Sequence, residues 1–269
     1  MWRVAVLCIL MFAQAARGDD VTLVVGTYQD HLKTIKDYAA ENGCTPLNNA
    51  EVGENQILAE YLILCNALKS SSRQYSLTLI GYPINARMLD DISSGRLAAS
   101  AVGIWRNEIR GENNHFSPSL FRDDEFAKGL YTTKNKVGMF DSASKIKHAV
   151  TLVNQNWFLD WALLKCAGMN LIHVGQYENM FNMLSLGRGD LIPLTFSSAH
   201  DMERNQFGRA LYPVPGVKFV FPDSTHFVIN IKSESGVTLL HDLRKGMRRL
   251  RKSGLIKDTY RRLGILNAE

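Results

Sequence analysis

Two periods of apolar positions run along the chain. Short runs such as VTLVVGTY (Val21–Tyr28), Tyr75–Tyr82, Leu97–Ile104, Val150–Val153, Leu171–Val174 and His226–Ile231 have the length and composition of buried strands. Between them, apolar residues recur three and four apart. That spacing predicts helices at His31–Asn42, Asn55–Ser70, 141–148, Trp157–Ala167, Val237–Lys252 and Leu255–Leu263. In the second of these, Ile57, Leu58, Tyr61, Leu62, Leu64, Cys65 and Leu68 share the apolar side; in the fifth, Leu239, Leu240, Leu243, Met247 and Leu250 do. Asp30 is expected to cap the first helix and Gly43 to stop it, Gly129–Lys134 to be extended, a strand to begin at Val137, and a polar helix to follow Ser198. Strands alternating with helices imply an α/β protein whose mostly parallel sheets are joined by right-handed crossovers.

One unit occurs twice. Met88–Gly103 and Tyr177–Ser198 each read as a helix, a Gly-Arg pair and an apolar strand, with Met88, Leu89 and Ile92 matched by Met180, Phe181 and Leu184. Glycine at such a junction can take the left-handed conformation that ends a helix. Two copies suggest two lobes, and 269 residues leave room for both.

Composition adds an address. Hydrophobic residues make up 46% of the chain and charged ones 21%, as in a globular protein. Residues 1–18 carry Arg3, an apolar run from Val4 to Phe12, and small residues at Ala13, Ala15, Ala16 and Gly18, which reads as a cleavable secretory signal peptide. The run is shorter than the ~20 residues a membrane span needs. Loss of Arg3 and Arg17 with this leader lowers the formal net charge from +5 to +3. So mild a charge does not point to nucleic acid, and the cations of Val237–Lys252 have an ordinary reason to lie near a helix C-terminus. Cys44, Cys65 and Cys166 remain, so at most one pair can form within the chain. Cys44 and Cys65 flank one helical segment and are the favoured pair, with burial of both as thiols the alternative.

The order of these landmarks resembles the type 2 periplasmic solute-binding proteins, in the branch of the polar amino-acid receptors of ABC uptake systems (bacterial extracellular solute-binding protein family 3). The residues that carry the resemblance are VTLVVGTY, ISSGRLAASAVG, NEIRGENNHFSPSLF, GLYTTKN, MFNMLSLGRGDLIPLTF and LRKGMRRLRKSGLIKDTYRRLG. It implies two lobes that close on a small polar solute, joined by two crossing strands near Tyr131–Lys134 and Val228–Lys232. One lobe would hold residues 19–134 and 228–269, the other 135–227. It further implies a monomer in the periplasm that serves a membrane permease or, alternatively, a membrane sensor protein.

Within that resemblance Arg110 stands six residues before Phe116, as the family's ligand arginine does, and a guanidinium fork suits a carboxylate. Asn107 replaces the family's threonine, and Arg87 and Arg106 are the alternatives. Asn154, Gln155, Asn156 and Trp157 precede a helix whose free N–H groups could receive an anion. Tyr28, Tyr82 and Trp105 are candidate aromatic walls, each equally readable as packing. Thr195 stands where amino-acid receptors carry an acid for the ligand's ammonium, which puts an α-amino acid in doubt and favours a neutral or anionic, carboxylate-bearing solute.

Signals for catalysis are weak. Seven histidines occur with no His-x-x-x-His or Cys-x-x-Cys spacing and no Walker-type loop, so neither metal nor cofactor is expected. Ser142-Ala-Ser-Lys145 lacks the companion motifs of penicillin-recognising enzymes and reads as a helix start. For a dehydratase of this fold, the segments expected to face the cleft supply few obvious acids and bases beyond Asp30, Glu108 and His115.

Overall fold

The computed structural model describes residues 20–53 and 55–266; the leader expected at residues 1–18 lies outside them. In chain order the elements are β1 (Asp20–Tyr28), α1 (Gln29–Asn42), α2 (Gln56–Leu68), β2 (Gln74–Tyr82), α3 (Asn85–Ser93), β3 (Ala99–Ser100), β4 (Ile104–Trp105) and β5 (Asn114–Phe116). There follow β6 (Ala127–Thr132), α4 (Ala143–His148), β7 (Val150–Val153), α5 (Phe158–Cys166), β8 (Asn170–His173), α6 (Tyr177–Ser185), β9 (Ile192–Thr195), β10 (Arg204–Gln206), β11 (Arg209–Pro213) and β12 (Phe219–Val220). The chain ends with β13 (Thr225–His226), β14 (Val228–Asn230), α7 (Gly236–Lys252) and α8 (Leu255–Arg262).

The first sheet has the order β2-β1-β3-β14-β5, with β1 parallel to both β2 and β3 and β14 antiparallel to its neighbours. Helices α2, α7 and α8 cover it, and one core joins Leu23, Val25, Leu62, Ile63, Leu243, Met247 and Tyr260. α7 crosses α2 so closely at Gly246 that an added Cβ would lie 2.0 Å from the Ala67 carbonyl oxygen. The second sheet is built on β6, which pairs antiparallel with β9, β11 and β12. β7 runs parallel to β8 and reaches β9 through a parallel bridge between Thr151 and Leu191. Two smaller cores, around Leu130, Val153 and Leu164 and around Tyr131, Phe181 and Ile192, pack on it.

The helix and glycine stop of the repeated unit are present twice. α3 and α6 bury Met88, Leu89, Ile92 and Met180, Phe181, Leu184, and Gly95 (φ 83°) and Gly187 (φ 68°) end them in the left-handed region. Cys44 and Cys65 form the disulfide, with Cα atoms 5.9 Å apart, while Cys166 is free and exposed. Ser142 accepts a hydrogen bond from the Lys145 N–H and starts α4.

Several expectations shift. α1 leaves β1 directly at Gln29, with Tyr28 rather than Asp30 at its N-cap. Only Ala99–Ser100 and Ile104–Trp105 of the run Leu97–Ile104 pair as strands, because Ala101–Gly103 turn away between them. A 3-10 helix, Lys134–Met139, replaces the strand at Val137. The polar stretch after Ser198 forms a hairpin of β10 and β11, turning at Phe207 and Gly208 with φ 53° and 69°. Antiparallel pairs therefore outnumber parallel ones around β6, although the helix-flanked strands β7, β8 and β9 are parallel. Strand pairing also puts residues 127–132 with the second sheet and 228–230 with the first. The chain passes from one sheet to the other before β6 and again before β13. In these passages Leu120 and Phe121 donate to the carbonyl and hydroxyl oxygens of Thr225, and Phe221 N–H donates to Phe126 O.

Candidate functional site

Because β1, β2 and β3 run parallel, Tyr28, Tyr82 and the segment after Ser100 reach the same edge of the first sheet, where open α/β sheets present their ligand contacts. There Asn85 Nδ2 donates to Glu108 Oε2 at 2.7 Å, while Asn85 Oδ1 is buried without a partner among the described residues. Burial pushes the Tyr28 pKa well up, and the charges of Glu60 and Glu108 add to it. Burial also raises the Glu108 pKa, reinforced by the charges of Asp223 and Asp160. Asp160 belongs to α5.

Behind this edge, Glu60 is 2% exposed on α2. Its Oε2 accepts the Gly103 N–H at 2.8 Å and its Oε1 accepts from Gln56 Nε2 at 2.8 Å. Those bonds favour the carboxylate, but burial outweighs them and lifts its pKa to about 7. A signal for it existed in the sequence, since it is the single charged residue of α2.

From the second sheet, Lys128 of β6 donates to Asp160 Oδ1 at 2.6 Å, with both side chains largely buried. The ammonium lies 5.0 Å from the Trp157 ring centroid, 5.6 Å from that of Phe221 and 5.9 Å from that of Phe126. Trp105 stacks on Phe221 at 5.3 Å and meets Phe126 edge-on. The passage between sheets is thus an aromatic block with one cation against it. A cavity of about 570 Å³ is lined by His31 of α1 and Asn55 at the start of α2, and by Ala199, Glu203, Asn205 and Gln206 from the segment after β9.

None of the residues expected from sequence lines that cavity. Tyr28 immediately precedes α1, which contributes His31, and Thr195 ends β9 just before Ala199. The Thr195 hydroxyl accepts from the guanidinium of buried Arg204 at 2.6 Å. Trp105 and Trp157 are in the aromatic block. Tyr82 is spent on packing, its hydroxyl donating to Asp91 at 2.6 Å. The Arg106 guanidinium lies 4.3 Å over the Phe116 ring. Arg87 and Arg110 are exposed, and neither side chain has a hydrogen bond or ion pair among the described residues.

The expected anion receptor before α5 is satisfied from within. Asn154 Oδ1 accepts the Asn156 N–H, Asn154 Nδ2 donates to Gly175 O, Gln155 N–H donates to His173 Nδ1, and Trp157 N–H donates to Asn154 O. Free N–H groups begin only with Phe158, Leu159 and Asp160, the first turn of α5. Among the described residues no cluster of three or more metal-ligating side chains occurs, and no helix is long and apolar enough to cross a membrane.

Solved structures share this arrangement. A probable amino-acid ABC transporter extracellular-binding protein of Bacillus subtilis superposes with a TM-score of 0.62 at 14% identity, covering 91% of this chain and 99% of its own. The chain has the fold of these two-lobed binding proteins. An amino acid ABC transporter substrate-binding protein of Streptococcus pneumoniae, bound to L-arginine, gives 0.57 at 12% identity over 77% of this chain and 83% of that one. An ancestral amino acid-binding protein described as a precursor of cyclohexadienyl dehydratase gives 0.56 at 13%, covering 91% and 95%. No family profile and no curated protein matches the sequence.

Proposed function

We propose that this chain is an exported solute-binding protein that closes its two lobes on a small amino-acid-like solute and hands it to a membrane ABC transporter. Its lobes would meet at residues 120–126 and 221–225. The observation that carries the reading is the acid group Glu108, held by Asn85 and raised by burial and by the nearby charges of Asp223 and Asp160. A desolvated carboxylate among other acids is relieved by a cation. Glu108 therefore supplies the counter-charge that Thr195 lacks, and the ligand carries an ammonium or guanidinium beside its carboxylate. Arg110, exposed and without a partner among the described residues, takes the carboxylate.

A thermal-shift screen over acidic, neutral and basic amino acids, organic acids and amines tests this. A ligand at a hundredfold excess over its Kd stabilises by about 2.7 kcal/mol. Stabilisation by zwitterionic, above all basic, amino acids is the expected result. Stabilisation by dicarboxylic acids alone would overturn it. The dehydratase precursor among the similar structures favours one second reading, an enzyme. Incubation of the protein with the solute that stabilises it, followed by a search for a dehydrated product, separates the two.

A further inference from the structure

The outward face of α7 carries His241, Arg244, Lys245, Arg248, Arg249 and Lys252, spaced three and four apart over about 17 Å of helix. Each is exposed, and among the described residues none of these side chains has an ion pair or hydrogen bond. The contrast within the helix is sharp. Arg251 turns inward and donates to the carbonyls of Ser119 and Leu120, and Asp242 turns inward to Ser71 and Tyr75. A helix C-terminus accounts for cations in its last turn only, which leaves His241, Arg244, Lys245 and Arg248 unexplained. Like charges four apart, as in Arg244 with Arg248 and Lys245 with Arg249, weaken a helix by a few tenths of a kcal/mol each. A groove of about 380 Å³ runs among the side chains of His241, Arg244, Lys245 and Arg248.

We propose that this stripe is a docking surface for an anionic membrane, held by phosphate headgroups of acidic lipids. The stripe follows one helix, and α7 puts no acidic residue on that side and contains no aromatic residue on which a base could stack. Long flexible cations along one helix edge can all reach a plane of phosphates, whereas a folded acidic protein would need a matching contour.

The test is co-sedimentation of residues 19–269, which contain every described element, with phosphatidylcholine vesicles and with vesicles half phosphatidylglycerol. At low ionic strength the protein sediments with the acidic vesicles and not with the neutral ones, and high salt releases it. The triple variant Arg244→Gln/Lys245→Gln/Arg248→Gln loses about a hundredfold in partition. Its melting temperature stays within a few degrees of the parent, because the three side chains touch no partner. Undiminished binding of the triple variant, equal binding to neutral vesicles, or preference for duplex DNA at matched phosphate concentration would overturn the proposal.

Discussion

Lys128 Nζ lies 2.6 Å from Asp160 Oδ1, joining the strand that enters the second sheet to the first turn of α5. Side-chain exposures of 15% and 6% make this a buried pair. Removing one partner of such a pair strands the other, at about 3–5 kcal/mol. Lys128→Met is therefore expected to lower the unfolding free energy measured by urea titration by an amount in that range. Lys128→Met/Asp160→Leu is expected to recover most of the loss, since a well-packed apolar pair of similar volume is close to neutral. A double variant as unstable as the single one would assign the loss to the Lys128 contacts with Trp157 and Phe221 instead.

Glu60 predicts a pH dependence of stability. Burial lifts its pKa from 4.5 to about 7, so the folded protein holds this proton more tightly than the unfolded chain. The stabilisation from protonated Glu60 is fully present below about pH 4.5 and is lost as pH rises through about 7. Glu60→Gln keeps an acceptor for the Gly103 N–H and removes the titration. It should match the parent near pH 4.5 and exceed it by up to about 3 kcal/mol at pH 8.5. Urea titrations at the two pH values decide it; parallel profiles for the two proteins would refute the assignment.

Arg110→Ala should weaken the solute found by the screen at least tenfold, the cost of a lost charge-assisted contact. Its unliganded melting temperature should not move, because the side chain is exposed and has no partner among the described residues. Isothermal titration reads both this variant and Glu108→Gln, which should select against ligands with a cationic group. Normal binding by Arg110→Ala together with loss in Arg106→Ala or Arg87→Ala would move the carboxylate contact to that arginine.

The Cys44–Cys65 bond closes a loop across a sequence separation of 21. Constraining a loop of that size in the unfolded chain is worth about 3 kcal/mol. Cys44→Ser/Cys65→Ser should unfold at correspondingly lower urea, and adding reductant should shift the parent but not the variant. Identical midpoints in all four measurements would show that the bond contributes nothing.

What could be read in advance follows from physics of range. β1, α2 and α7 were legible because burial imposes a period on their own residues. The repeated Gly-Arg junctions were legible because a helix stop has a local chemistry. Leu97–Ile104 misled because apolarity reports burial, and Ala101–Gly103 are buried or half-buried without pairing as strand. The hairpin at Phe207-Gly208 replaced an expected helix because a polar stretch without period carries no register. In the site, spacing could nominate Arg110, but nothing local could join Lys128 to Asp160, which are 32 residues apart. Likewise the amides around Asn154 were expected to be free because their partners, Gly175 and His173, come from the following strand and its exit.

The placement of β14 between β3 and β5 has a consequence for synthesis. The second sheet and its cores are drawn from one continuous stretch, so they are complete once Val220 has left the ribosome. The first sheet still lacks an inner strand at that moment, and α7 and α8, which cover its core, have yet to emerge. The lobe that is begun first is finished last, and until then the nascent chain exposes the edges of β3 and β5 and the apolar side of α2 to whatever chaperones attend it.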